Sequence, residues 1–306
     1  MNTQQSYDIY INQDAGTVRH IGREDLERRL SESSIGIRKL FILSAPELLS
    51  KISQISQGDR VLIGGGDGTI RSCAKHFMKS NASFGVLPLG TMNLLAQDLN
   101  IPNDLDAALD AYAHDTRTMP MDVGIVNDDV FLCCAGLGVM PSASQERENA
   151  RENQNDLLLY AQLASHVFEH FNDDMKFDFI IDGKRTRVRS PSIVVSNNQY
   201  EPNKSKLKKI NFTRARLQDG LLGLYSIAPK SFMEKMNLLW MLKLGNWKNT
   251  RAIKTQTAHS LSINMPQQQQ ALVSLDGETQ NMTLPLNFSI QQKALQIIVP
   301  KQKPER

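Results

Sequence analysis

The chain's clearest chemical signal lies in two short glycine-rich segments. Gly64-Gly65-Gly66-Asp67-Gly68-Thr69 follows an apolar stretch and opens a helical one. Glycines let backbone amides approach an anion closely, and a helix N-terminus adds a favourable dipole. Asp67 is unusual there, because a carboxylate repels bare phosphate. It fits if a cation bridges it to phosphate, or if it takes a proton from a substrate hydroxyl. A tight turn that needs glycine accounts for the same residues without a ligand. The segment is neither a Walker loop nor a dinucleotide fingerprint, since no Lys-Ser/Thr follows and the Gly-x-Gly-x-x-Gly spacing is absent. About twenty residues later comes Pro88-Leu89-Gly90-Thr91-Met92-Asn93, at another strand-to-helix junction. Thr91 offers a hydroxyl, and Asn93 offers an amide that can bind a ligand or cap the next helix. Near the C-terminus, Asp276-Gly277-Glu278 sets two carboxylates on one turn. They can act as a base or hold magnesium, while Asp-Gly alone also reads as a hairpin turn. Asp219-Gly220 carries the same two readings, turn or oxygen ligand for a cation.

These residues need a scaffold. Strand signals at Tyr7–Ile11, Lys39–Leu43, Arg60–Ile63 and Phe84–Leu87 alternate with helical stretches at Glu24–Leu30, Pro46–Ile55, Ile70–Met78, Asn93–Leu99 and Asp104–Ala113. Apolar strands alternating with helices predict a parallel sheet covered by helices, with its loops on one edge. After about residue 118 the pattern changes. Met121–Val126 and Val130–Ala135 read as a hairpin across Asn127–Asp129. Lys176–Ile181 and Lys184–Arg189 read as a second hairpin, whose Asp182-Gly183 suits a type I′ turn. Further strands are expected at 193–196, 221–227, 260–264, 272–275, 283–286 and 295–299, with helices at 157–171 and 232–244. The fold class is therefore α/β followed by β.

With 306 residues and 41% hydrophobic content, the chain is long enough for two globular domains. Cys73, Cys133 and Cys134 form no disulfide or zinc framework, which points to a reducing compartment. The N-terminus lacks the basic start and apolar run of a secretory signal, and no window approaches about 18 apolar residues. Net charge is only +3, but residues 184–254 hold sixteen Lys/Arg against three acids, a local net of +13 that leaves −10 for the rest. Such asymmetry suits an anionic membrane surface. Aromatics in that stretch are sparse (Tyr200, Phe212, Tyr225), which argues against nucleic acid. Met233, Met236, Trp240, Met241 and Trp247 read as core rather than membrane anchor, while Lys230, Lys235, Lys243, Lys248, Arg251 and Lys254 keep the membrane reading open. His166 and His170 stand four apart on a helical stretch but lack an identifiable third metal ligand.

Taken together, the motifs resemble the diacylglycerol kinase catalytic-domain family, lipid kinases that include bacterial diacylglycerol kinases and sphingosine kinases. Asn12-Gln13-Asp14-Ala15-Gly16 resembles the family's opening turn, with Gln13 in place of proline. Gly65–Thr69 matches its nucleotide motif, Pro88–Asn93 its second loop, Asp219-Gly220-Leu221 a later Asp-Gly segment, and Asp276-Gly277-Glu278 its catalytic turn. Ile70-Arg71-Ser72 departs from the family's x-Asn-Glu, and Leu94-Leu95 from its Asp-Phe.

The resemblance implies an α/β nucleotide-binding domain over residues 1–118 and a β-rich sandwich with a few helices over 119–306. The last strand, about 290–300, returns to the first domain, and the nucleotide lies in the cleft between domains. It implies transfer of the γ-phosphoryl of Mg-ATP to a lipid hydroxyl, diacylglycerol or a relative. Asn12, Gly16, Ser44, Gly65, Gly66, Asp67, Gly68, Thr69, Thr91 and Asn93 are the expected nucleotide contacts. Asp276, Glu278 and Asp67 are the expected catalytic residues, and Asp276 and Asp67 both qualify as the base. Asp276 is favoured because it comes from the second domain, with Glu278 beside it for metal or hydrogen-bond support and Asp67 holding Mg-ATP or orienting its phosphates. Asp219, with the carbonyls of Arg216 and Leu221, is the expected structural magnesium site. The expected location is the cytoplasm, with peripheral membrane contact. Two alternatives stand beside this reading. One is an NAD kinase, which shares the Gly-Gly-Asp-Gly-Thr loop; the other is a non-catalytic sensor, kept open by Arg71.

Overall fold

The computed structural model describes residues 6–141, 175–202, 212–243 and 247–301. The chain forms two compact units: residues 1–121 with 293–306, and residues 122–292.

In the first unit, β1 (Ser6–Asn12), α1 (Gly16–Ile21), α2 (Arg23–Glu32), β2 (Gly36–Leu43), α3 (Ala45–Ile52), β3 (Arg60–Gly65), α4 (Asp67–Ser80), β4 (Ser83–Pro88), α5 (Leu94–Asp98) and α6 (Leu105–Ala113) follow in order. The strands pair in parallel as β2-β1-β3-β4. The helical signal at Ile70–Met78 extends back to Asp67, because Gly66 takes an extended conformation and serves as the N-cap. Ile9, Ile11, Leu62, Ile63, Phe84 and Leu87 are fully buried, as expected for strands covered on both faces. The short helix α1 was not legible in the sequence pattern.

The remaining strands are β5 (Thr116–Val126), β6 (Asp129–Phe131), β7 (Cys134–Gly138), β8 (Met175–Ile181), β9 (Lys184–Ser190), β10 (Ser192–Asn197), β11 (Glu201–Pro202), β12 (Phe212–Thr213), β13 (Leu222–Ile227), β14 (Ile253–Ala258), β15 (Ser260–Asn264), β16 (Gln270–Leu275), β17 (Glu278–Thr283) and β18 (Leu286–Pro300); α7 (Phe232–Lys243) lies among them. The second unit is a sandwich. One sheet runs β18-β15-β8-β9 and the other β14-β13-β10-β7-β16-β17. Its core interleaves Phe177, Phe179, Leu261 and Phe288 of one sheet with Leu137, Ile193, Leu224 and Val273 of the other. β18 leaves this sandwich and ends in the first unit, pairing in parallel with β4 at Gln296–Ser83 and Ile297–Phe84. The Tyr112 hydroxyl extends this short ladder, donating to the Ile298 carbonyl and accepting the Val86 N–H.

Several expectations need correction. The stretch Val130–Ala135 is not one strand. It breaks at Leu132-Cys133, so β6 completes the hairpin with β5 while β7 joins the other sheet. Met233 and Met236 are not core, being 74% and 47% exposed, whereas Trp247 is buried against Tyr225. The predicted helix at 157–171, with His166 and His170, lies outside the described residues. Among the described residues, no helix is long and apolar enough to cross a membrane.

Candidate active site

Three loops meet at the C-terminal ends of β1, β3 and β4. The chain leaves β1 toward β2 on one side, and β3 pairs on the other side. Such a reversal of strand order opens a crevice at the sheet edge where ligands bind.

Asn12 ends β1 and is buried. Its Nδ2 donates to Thr69 Oγ1 at 2.9 Å, while its Oδ1 accepts the Asp14 N–H at 3.0 Å. One side chain thus shapes its own turn and fastens it to the first turn of α4. The third loop joins through backbone bonds: Thr17 N–H to the Leu89 carbonyl at 2.9 Å, and Leu89 N–H to the Gly65 carbonyl at 3.1 Å. A Cβ on Gly90 would fall 2.5 Å from the Cα of Gly66, so the two glycine loops touch backbone to backbone. Gly16 faces the Thr91 hydroxyl, since a Cβ there would lie 3.8 Å from Oγ1.

Asn93 does not cap α5. It sits at φ 50° and makes no capping bond. Its amide instead closes the loop on Gly90, accepting the N–H and donating to the carbonyl, each at 2.8 Å. Asp67 Oδ1 accepts the Leu95 N–H at 3.4 Å, in the first turn of α5. Asp67 also heads α4, where a negative charge suits the helix dipole. The first turn of α4 begins at Asp67, and N–H groups in a helix's first turn point beyond its own carbonyls. Together with the exposed Thr91 hydroxyl, they form a donor-rich rim that suits phosphate. Ser44 caps α3 in a capping box, its hydroxyl donating to Glu47 Oε2 at 2.7 Å.

In the second unit, Asp276 and Gly277 link β16 and β17 at φ 51° and 93°, the signs a type I′ turn requires. Asp276 is buried. Its carboxylate accepts the N–H groups of Leu132 and Cys133 at 2.7 Å and of Cys134 at 3.0 Å. Three N–H donors suit an anion. Glu278, at the head of β17, is exposed.

Sequence reasoning missed the polar core behind this turn. The Leu132 carbonyl accepts both Arg214 Nη1 at 2.5 Å and Asn197 Nδ2 at 3.0 Å. Arg214 is buried and also donates to the Asn197 carbonyl at 2.8 Å. Asp122, buried within the apolar run of β5, accepts the Gly220 N–H at 2.8 Å. A carboxylate inside such a run was the available signal. The neighbouring Asp219 has its N–H on Asn198 Oδ1 at 2.9 Å and its carboxylate 3.4 Å from Arg216 Nε. The Leu221 carbonyl accepts the Asn198 N–H at 3.0 Å, which leaves its second lone pair. Carboxylate and carbonyl oxygens are the donor types that magnesium takes. The exposed Arg216 guanidinium is a weak competitor for that position.

Residues 11–126 match the family model described as diacylglycerol kinase catalytic domain, and residues 134–299 the one described as YegS C-terminal NAD kinase beta sandwich-like domain. The chain belongs to the diacylglycerol kinase catalytic-domain family. Among relatives, it is 24% identical over 260 residues to a diacylglycerol kinase of Bacillus subtilis, covering 84% of this chain and 83% of that one. It is 22% identical over 302 residues to a diacylglycerol kinase of Staphylococcus epidermidis, covering 92% and 89%. A solved structure described as a diacylglycerol kinase from Bacillus anthracis superposes with a TM-score of 0.64 at 16% identity, covering 99% of each chain.

Proposed function

We propose that this chain is an ATP-dependent lipid kinase that moves the γ-phosphoryl of Mg-ATP to the hydroxyl of diacylglycerol or a related lipid. The observation that carries the reading is the three-loop cluster around Asn12, Gly66 and Gly90, whose backbones close to contact beside the N-terminus of α4. Close backbone approach and first-turn N–H groups suit a chain of phosphates. The family match over residues 11–126 supports lipid over NAD as acceptor.

Phosphoryl transfer needs positioning, charge neutralisation and a group that accepts the hydroxyl proton. In this reading Gly65–Thr69 and Thr91 hold the nucleotide, Asn93 contributes by closing the loop that carries Thr91, and Asp67 would orient the phosphates of Mg-ATP. Magnesium, when bound, neutralises phosphate charge. Asp219 with the Arg216 and Leu221 carbonyls would hold a separate, structural magnesium. Asp276 is the proposed base, with Glu278 supporting it. The three amide bonds to Asp276 support a second division of labour, in which Asp276 fixes the turn and the exposed Glu278 takes the proton.

The test is incubation with labelled ATP and magnesium against diacylglycerol, monoacylglycerol, a sphingoid base, phosphatidylglycerol and NAD. Label on a lipid supports the proposal. Label on NAD alone replaces it with the NAD-kinase reading. Nucleotide binding with no transfer to any acceptor replaces it with a sensor.

A further inference from the structure

The large apolar side chains exposed on the described surface are unevenly distributed. Leu40 on β2, Leu49 on α3 and Ile180 on β8 are each 36–39% exposed and fall on three different elements. The other three cluster at the start of α7: Phe232, Met233 and Met236, at 65%, 74% and 47%. The helix is anchored from its other face, where Leu238 and Lys235 are buried. Ser231 accepts the Glu234 N–H at 3.2 Å, so the first turn is capped.

A cleft of about 640 Å³ opens beside this turn, lined by Arg189, Lys230, Arg251 and Lys254, with Pro229 and Glu234. Arg189 comes from β9 and Lys254 from β14, the edge strands of the two sheets. The single acid, Glu234, is turned back on the helix and accepts the Lys230 N–H at 2.6 Å. The cleft therefore presents four cations and one engaged carboxylate.

The geometry points to a membrane-docking surface. Phe232, Met233 and Met236 enter the acyl boundary of a bilayer while Arg189, Lys230, Arg251 and Lys254 take up anionic lipid phosphates. A short apolar tip alone, or a basic cleft alone, gives marginal attachment, and the two together give reversible binding. Edge-strand cations also deter strand pairing, but that purpose needs no apolar tip beside them. Each Lys or Arg at an anionic surface strengthens binding roughly fivefold. The biological use of this surface rests on the lipid-kinase reading, but its test does not. Vesicle binding is measured without nucleotide, and transfer is measured in detergent micelles, so either can fail alone.

The experiment is flotation of the whole chain with vesicles of phosphatidylcholine, with and without phosphatidylglycerol, at low and high salt. The expected result is binding to the anionic vesicles that salt weakens. Phe232→Ser/Met233→Ser should lower it about tenfold or more. Arg251→Gln/Lys254→Gln should lower it about as much and flatten the salt dependence. Lys184→Gln/Arg185→Gln, at the far end of β9, should leave it near the parent value. Unchanged binding in the apolar double variant overturns the inference, as does equal loss in the two charge variants. So does a concentration-dependent dimer of the parent chain that Phe232→Ser/Met233→Ser abolishes, which would make this face a contact between copies.

Discussion

The Asp276 carboxylate holds the backbone N–H of Cys133 at 2.7 Å, and with Leu132 and Cys134 it takes donors that a continuous strand would have spent on a neighbour. The break between β6 and β7 and the anchoring of the Asp276 turn are one interaction seen from two sides.

Asp276→Asn sets an amide NH₂ against backbone N–H donors, however the amide is turned. Leaving a buried donor without its acceptor costs about 1–3 kcal/mol. Urea unfolding should show that loss. If Asp276 is also the base, single turnover should fall about 10²–10⁴-fold with ATP affinity kept. Glu278→Gln should leave stability near the parent value. A full loss of turnover in Glu278→Gln, with substantial turnover left in Asp276→Asn, assigns the base to Glu278.

Asp67→Asn should weaken Mg-ATP binding and turnover together. The asparagine oxygen can still accept the Leu95 N–H, so the start of α5 survives and the loss reports charge. Gly90→Ala should weaken ATP binding at least about tenfold, because its Cβ forces the Gly66 backbone away. Calorimetric titration with Mg-ATP checks both, and wild-type affinity in Gly90→Ala would remove the paired loops as the nucleotide site.

Asp219→Ala should raise the magnesium concentration needed for activity and lower the melting temperature, while leaving turnover at high magnesium. Unchanged melting and unchanged magnesium dependence would show that Asp219 serves only its ion pair with Arg216.

Alkaline pH should loosen the first unit. Burial pushes the Cys73 thiol up from 9.0 to about 12, and burial also raises the Tyr112 phenol. Both groups are neutral in the fold and ionise more readily once unfolded. Stability is therefore full below pH 9.0 and falls as pH rises toward about 12. Thermal melts across that range should show the decline, with a shallower slope in Cys73→Ala.

Much of this architecture was legible. The glycine loops were readable because close backbone approach tolerates few residue types, and Asp182-Gly183 because a type I′ turn demands positive φ at both positions, here 46° and 81°. The bonds from Asp276 to residues 132–134 were not readable, because backbone donors leave no mark on residue identity. By position Asn93 suited a ligand contact or a helix cap, and its amide instead closes on Gly90. The first turn of α7 misled in the other direction: Phe-Met-x-x-Met has the composition of a core face, and only the packing of Leu238 and Lys235 shows which side points in.

The path of β18 has a consequence for how the protein is made. On the ribosome, residues 6–113 emerge early, yet the parallel sheet they build lacks the strand that pairs with β4 until residues 293–300 have been translated. Until then β4 is an open sheet edge, a template for pairing with another nascent chain. The unit synthesised first is therefore the last to be completed, and a stalled or prematurely terminated message leaves it unfinished and prone to aggregate even when almost every residue of that unit is present.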